Sequence, residues 1–79
     1  MFYVYVLKCR DGSFYTGYSN NLQERIEKHN KGIASKYTRS RLPVRLMKSW
    51  TFVTKSEATK AEAGFKKLTR SEKLKRLQA

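Results

Sequence analysis

Tyr3-Val4-Tyr5-Val6-Leu7 and Tyr15-Thr16-Gly17-Tyr18, set on either side of Arg10-Asp11-Gly12, decide how this chain of 79 residues folds. Phe2 to Leu7 is an unbroken apolar and aromatic run, β-branched at Val4 and Val6 and too short for a good helix. It reads as a central strand. Asp11-Gly12 is a hairpin signal, and Ser13 to Ser19 reads as the returning strand. Two registers compete. A two-residue loop pairs Tyr5 with Tyr18 and sends Tyr15 to the other face. A three-residue loop, Arg10 to Gly12 with Gly12 left-handed, pairs Cys9 with Ser13, Leu7 with Tyr15 and Tyr5 with Gly17. The second is preferred, because it lays the Tyr5 ring over a residue without a side chain and brings both phenols to one face.

Downstream, Asn21 with Glu24 three residues on resembles a capping box, and Gly32 supplies a stop. A helix is expected from about Asn21 to Lys31. At about 100° per residue, Leu22, Arg25, Ile26 and His29 share one face, whereas Glu24, Glu27, Lys28 and Lys31 lie opposite. Residues 33 to 43 read as a basic, hydroxyl-rich connector ending at Pro43. Val44 to Val53 contains a third strand through Leu46, Met47 and Trp50. Thr54 with Glu57 caps a helix of roughly Lys55 to Leu68, and Thr69 with Glu72 repeats the pattern for a short last helix. The order ββαβαα gives an α+β fold, sandwich-like, in which a small antiparallel sheet packs against helices. The chain, 1 to 79, reads as one domain without repeats or linker.

Charge narrows the partners. Eighteen Lys and Arg against six Asp and Glu give a net charge of +12 and a pI near 10.2. That balance points to a polyanion, with nucleic acid the leading candidate. The sequence has no apolar run long enough to cross a bilayer and no secretory leader pattern, so a reducing cytoplasm is the expected home. A single cysteine, Cys9, excludes an intrachain disulfide framework and, with a single histidine, a Cys/His zinc cage.

The six acids sort by elimination. Asp11 belongs to the turn, Glu24, Glu57 and Glu72 to caps, and Glu27 to an outer helix face. Glu62 is left over, near the middle of the stripe formed by Ala58, Ala61, Phe65 and Leu68. A carboxylate there is costly unless paired or metal-bound. Two readings stand: an ion pair with Lys66 one turn on, or an oxygen ligand for a hard cation that keeps most of its water, as Mg²⁺ does. Arg25 and His29 divide similarly. Arg25 either buttresses a tyrosine or neutralises a phosphate oxygen, and His29 is either a hydrogen-bonded core residue or part of the chemistry. Lys36, Tyr37, Arg39 and Arg41 alternate with hydroxyls and either track a phosphate backbone or form a solvated loop.

These residues, in this order, resemble the GIY-YIG nuclease family, and within it the small stand-alone bacterial members. Tyr3-Val4-Tyr5 stands where the family has Gly-Ile-Tyr, and Tyr15-Thr16-Gly17 where it has Tyr-Ile-Gly. Arg25 and His29 match the helix arginine and the histidine one turn later that some branches carry. Glu62 matches the metal-binding glutamate of the later helix. The resemblance runs from Phe2 to about Leu77. It implies a three-stranded antiparallel sheet flanked by helices, with Tyr5, Tyr15, Arg25, His29 and Glu62 as the catalytic set and Glu62 as ligand for Mg²⁺ or Mn²⁺. It also implies phosphodiester hydrolysis, and DNA rather than RNA, in repair or processing, is the expected substrate. Monomer is the default state, and a domain this small is expected to rely on local shape or a recruiting protein to choose its target. Lys36, Tyr37, Arg39, Arg41 and Gly17 are the expected nucleic-acid contacts. The competing function is a binding module of the same fold with little turnover. Three positions depart from the pattern: the first tripeptide lacks its glycine, Thr16 replaces isoleucine, and Tyr18 stands where some members carry a catalytic lysine.

Overall fold

The β1–β2 turn sets the register of the sheet. In a computed structural model that describes residues 1–78, Gly12 adopts a left-handed φ of 85° and its N–H donates to the Cys9 carbonyl at 2.9 Å. The Cys9 N–H closes the loop onto the Ser13 carbonyl, also at 2.9 Å. This is the three-residue loop, with glycine at the position where an L side chain is strained. Strand β1 (Phe2–Lys8) therefore pairs with β2 (Phe14–Ser19) so that Tyr5 faces Gly17 and Leu7 faces Tyr15, as the preferred register required.

Strand β3 (Arg45–Phe52) lies antiparallel on the other side of β1, giving the order β2-β1-β3. The register shifts between Val6, opposite Lys48, and Leu7, opposite Leu46, so one extra residue is accommodated on β3. Because β1 is central, its side chains are buried on both faces and its sequence reads as continuous rather than alternating apolar.

Helix α1 (Leu22–Asn30) covers one face. Asn21 caps it by accepting from the Glu24 N–H at 3.2 Å, and Gly32, with φ of 78°, lets the chain turn away at its end. Leu22 and Ile26 pack on Tyr5, Leu7, Cys9 and Val44. Helix α3 (Lys55–Lys66), started by the Thr54–Glu57 capping box, covers the opposite face with buried Ala58 and Phe65. Val4 and Val6 alternate onto that side, and the Phe65 and Trp50 rings meet there at 5.7 Å. Each fully buried valine or leucine stabilises the fold by about 1.5–3 kcal/mol, so β1 alone supplies much of the core.

Two elements extend the sequence reading. The connector contains one helical turn, α2 (Lys36–Arg39), capped by the Ser35 hydroxyl on the Tyr37 N–H at 3.1 Å. Four residues are too few for a helical period to show in the sequence. The last helix, α4 (Arg70–Gln78), buries no side chain. Its cations instead lie over aromatic rings, Arg70 over Phe14 at 4.8 Å, Lys73 over Phe65 at 5.8 Å and Arg76 over Trp50 at 5.8 Å. Among the described residues, no helix is long and apolar enough to cross a membrane.

Candidate active site

Gly17 is the hinge of the site's geometry. A Cβ at this position would lie 2.6 Å from the Tyr5 hydroxyl oxygen, 2.8 Å from Cζ and 3.3 Å from the Tyr15 ring. The bare backbone of the edge strand thus lets the Tyr5 phenol extend across β2 to its far side. A cleft of about 380 Å3 opens there, lined by Tyr5, Tyr15 and Gly17 from the hairpin, Arg25 from α1, and Lys55 and Glu62 from α3. A larger groove of about 610 Å3 lies between α1 and the Tyr3 end of the sheet, lined by Leu22, Ile26 and Leu46 among others. It carries none of the five residues singled out for chemistry. The smaller cleft holds four of them, and the fifth sits directly behind.

That fifth residue is His29, 1% exposed. Its Nε2 lies 2.9 Å from the Tyr5 hydroxyl, and its Nδ1 lies 2.8 Å from the Thr38 hydroxyl. Tyr15 packs edge-on against the same imidazole, with ring centroids 5.0 Å apart. Burial, with Arg25 acting in the same direction, holds His29 below the usual histidine pKa, so the ring is neutral. The Tyr5 hydroxyl is pushed well above the ordinary phenol value, chiefly by burial and secondarily by Tyr15. Arg25 opposes the shift and Glu62 adds to it. Desolvation outweighs the opposing charge of Arg25, and the resting group is a neutral phenol.

Glu62 forms the ion pair that the sequence offered: its carboxylate meets the Lys66 ammonium at 3.2 Å, and the residue also lines the cleft with Arg25. Its side chain is 17% exposed against 55% for Lys66. The ion pair is therefore half in solvent, and such pairs contribute little stability. Among the described residues no group of three or more His, Cys, Asp or Glu gathers into a metal cage. A lone carboxylate at the wall of an open polar cleft fits a cation that keeps most of its shell as water, the habit of Mg²⁺.

The expected nucleic-acid contacts divide. Lys36 and Arg39 are exposed on α2, and Tyr37 is 37% exposed. Arg41 is committed within the fold: it donates to Asp11 at 3.0 Å and to the Tyr37 carbonyl at 2.8 Å, and its guanidinium lies 3.9 Å above the Tyr37 ring. Tyr37 in turn stacks on Tyr15 at 6.1 Å. The connector is thereby tied to the hairpin turn and to the site. Two contributors went unseen in the sequence. Lys55 adds a cation at the cleft, and Thr38, wholly buried, partners His29. Thr38 stands nine residues from His29, across a chain reversal, and no periodic signal links them.

A ββ hairpin presenting two phenols, a helix arginine and a second-helix glutamate on one cleft defines the GIY-YIG class of catalytic domain. The chain belongs to that family: the model of the GIY-YIG catalytic domain matches residues 1–75. It is 56% identical to a UPF0213 protein of Bacillus licheniformis over 90% of this chain and 73% of that protein. A UPF0213 protein of Staphylococcus epidermidis is 50% identical over 96% and 93%. Two solution NMR structures share the fold, each with a TM-score of 0.65. The UPF0213 protein of Bacillus halodurans is 46% identical, over 99% of this chain and 84% of that one, and an Enterococcus faecalis protein is 51% identical, over 96% and 81%. Membership supports nuclease chemistry in general and a nucleic-acid substrate.

Proposed function

We propose that this protein is a metal-assisted endonuclease that hydrolyses nucleic-acid phosphodiesters, acting on DNA in repair or processing. The observation that carries the reading is convergence: two tyrosines, Gly17, Arg25 and Glu62, drawn from three separate stretches of chain, line one cleft with His29 bonded behind Tyr5. Binding alone requires neither a cleft-facing carboxylate nor a buried phenol–imidazole pair, which favours catalysis over a binding module.

In the proposed reaction, water attacks phosphorus and the bond to the leaving oxygen breaks. The proton lost by water passes to the Tyr5 oxygen as Tyr5 hands its own proton to His29 Nε2, so no free phenolate forms. Imidazolium is disfavoured in so dry a place, and His29 returns the proton readily. Arg25 neutralises charge developing on the phosphoryl oxygens, and Tyr15 donates to one of them. Glu62 would hold Mg²⁺ or Mn²⁺, which when bound supplies Lewis-acid polarisation of the phosphate and stabilisation of the leaving oxygen. The proton taken by the leaving oxygen comes from solvent.

The test is a panel of branched, nicked and single-stranded DNA, with matching RNA, incubated with Mg²⁺ or Mn²⁺ and with chelator. Cleavage is expected only with metal, and Glu62→Ala should lower it by roughly 10²–10³-fold, the loss typical of removing one charge-stabilising group. Full activity in Glu62→Ala would refute the metal assignment. Tight binding without cleavage across the panel would leave the binding module in its place.

A further inference from the structure

The relay from Tyr5 to His29 works in one direction only if Nε2 carries a lone pair. Nothing in the histidine itself selects that tautomer, since an unperturbed imidazole exchanges its proton between both nitrogens. The selection must come from whatever faces Nδ1.

Thr38 faces it. Its hydroxyl lies 2.8 Å from Nδ1 and 3.4 Å from the Ser35 carbonyl, one helical turn back, and the residue is wholly buried. A hydroxyl has one proton, and a carbonyl only accepts. If Thr38 donates to Ser35, its lone pairs face Nδ1, Nδ1–H donates to Thr38, and Nε2 accepts from Tyr5. All three contacts are then hydrogen bonds. In the opposite arrangement Thr38 donates to Nδ1 and Nε2–H donates to Tyr5, so the Ser35 contact is lost and the Tyr5 proton has no partner in the interior. Buried polar groups favour the arrangement that satisfies more of them, and no described buried side-chain nitrogen or oxygen lacks a partner.

We propose that Thr38 is a positioning residue which, through the Ser35 carbonyl, locks His29 as the Nδ1–H tautomer and so sets Nε2 to receive the Tyr5 proton. The local structure explains how. Ser35 caps α2 and fixes its first turn, and α2 packs on α1, which carries His29. A threonine side chain inside a short helix bonds readily to the carbonyl three residues back. The four-residue turn therefore aims a hydroxyl at an imidazole from another element.

The inference rests on the hydrolytic reading for its effect on rate, and stands apart from that reading for the tautomer. The experiment has two arms. Long-range 15N–1H spectra of metal-free protein should show a protonated Nδ1 and a pyridine-like Nε2 at His29. In Thr38→Val, close in shape but without a hydroxyl, Nε2 should become protonated in a large fraction of molecules, and Thr38→Ser should restore the original pattern. Nuclease assays should show kcat reduced about 10- to 100-fold in Thr38→Val, as for loss of a group orienting a reactive residue, with nucleic-acid affinity unchanged and the rate recovered in Thr38→Ser. A protonated Nε2 in the wild type would overturn the proposal. So would an unaltered tautomer in Thr38→Val, or an inverted tautomer with undiminished kcat. A wild-type protein that cleaves nothing refutes the hydrolytic reading alone, and the spectra still decide what Thr38 does.

Discussion

Behind Tyr5 the site is dry, neutral and closed; in front of it, the site is wet, charged and open. Tyr5, His29 and Thr38 are each at most 2% exposed, and their polar atoms bond to one another in a chain that ends on a backbone carbonyl. Arg25, Lys55 and Glu62 instead line a cleft of about 380 Å3, and Glu62 meets a lysine that is half in solvent. The difference teaches how the work is divided. The buried half is fully satisfied by the protein and, on the proposed reading, fixes proton positions before substrate arrives. The open half leaves its charges partly solvated, and in the proposed reaction a phosphate and a hydrated cation would complete it. Tyr5 belongs to both, lining the cleft and bonding His29.

Removing that shared residue's hydroxyl should break the comparison most severely. Tyr5→Phe keeps the ring in the core but cuts the link between cleft and imidazole, and kcat should fall by about 10²–10⁴-fold, the usual worth of a general acid–base group. Nucleic-acid affinity, read by fluorescence anisotropy, should change little. A variant with more than a tenth of the wild-type rate would place the proton relay elsewhere.

Gly17→Ala comes next. The new Cβ would overlap the Tyr5 hydroxyl region at 2.6 Å, so the ring must shift away from His29 or the edge strand must move out. Overpacking of this kind costs about 1–3 kcal/mol. Thermal unfolding should report that loss, and cleavage should fall with it, whereas Gly12→Ala should affect only the turn.

A smaller effect should appear in the pH dependence of stability, and it isolates the closed half. The His29 pKa is lowered in the folded state by burial, so the unfolded chain binds the proton more readily. Stability contributed by neutral His29 is complete above the ordinary histidine value of 6.5 and declines as pH falls from there toward the folded pKa. The melting temperature should therefore drop on acidification through that window, and His29→Gln should flatten this part of the profile. An unchanged profile in His29→Gln would mean the imidazole is hydrated in solution.

Least affected should be the open periphery. Arg41→Ala removes a half-exposed pair with Asp11, and stability should change little. Its cost should show in mobility of the Tyr37 ring, followed by NMR. Loss of Lys36 and Arg39 together should lower the salt slope of nucleic-acid binding by about two, if both neutralise phosphates.

Much of this was legible in the chain because the signals were local. The Asp11-Gly12 loop, the Asn21, Thr54 and Thr69 caps, and the unbroken apolar run of β1 each depend on residues a few positions apart. They gave the hairpin register and the sheet-with-helices architecture. Glu62 was also singled out locally, as the one acid without a cap, a turn or an outer helix face to serve. The partner of His29 was not. Thr38 looked like one hydroxyl in a cationic connector, and a four-residue helix leaves no period to read. Nor did the pairing of Arg41 with Asp11, thirty residues apart, leave a trace in spacing.

The order of residues by itself determined the strand register, the bare backbone under Tyr5 and the excess of positive charge, since these follow from side-chain size, turn stereochemistry and composition. Only the tertiary structure decided that Tyr5 is a neutral phenol bonded to a neutral imidazole, and that a threonine from a third element holds that imidazole in place. The reason is physical. Proton affinities and tautomers depend on desolvation and on hydrogen-bond partners, and both are set by which distant segments the folded chain packs together.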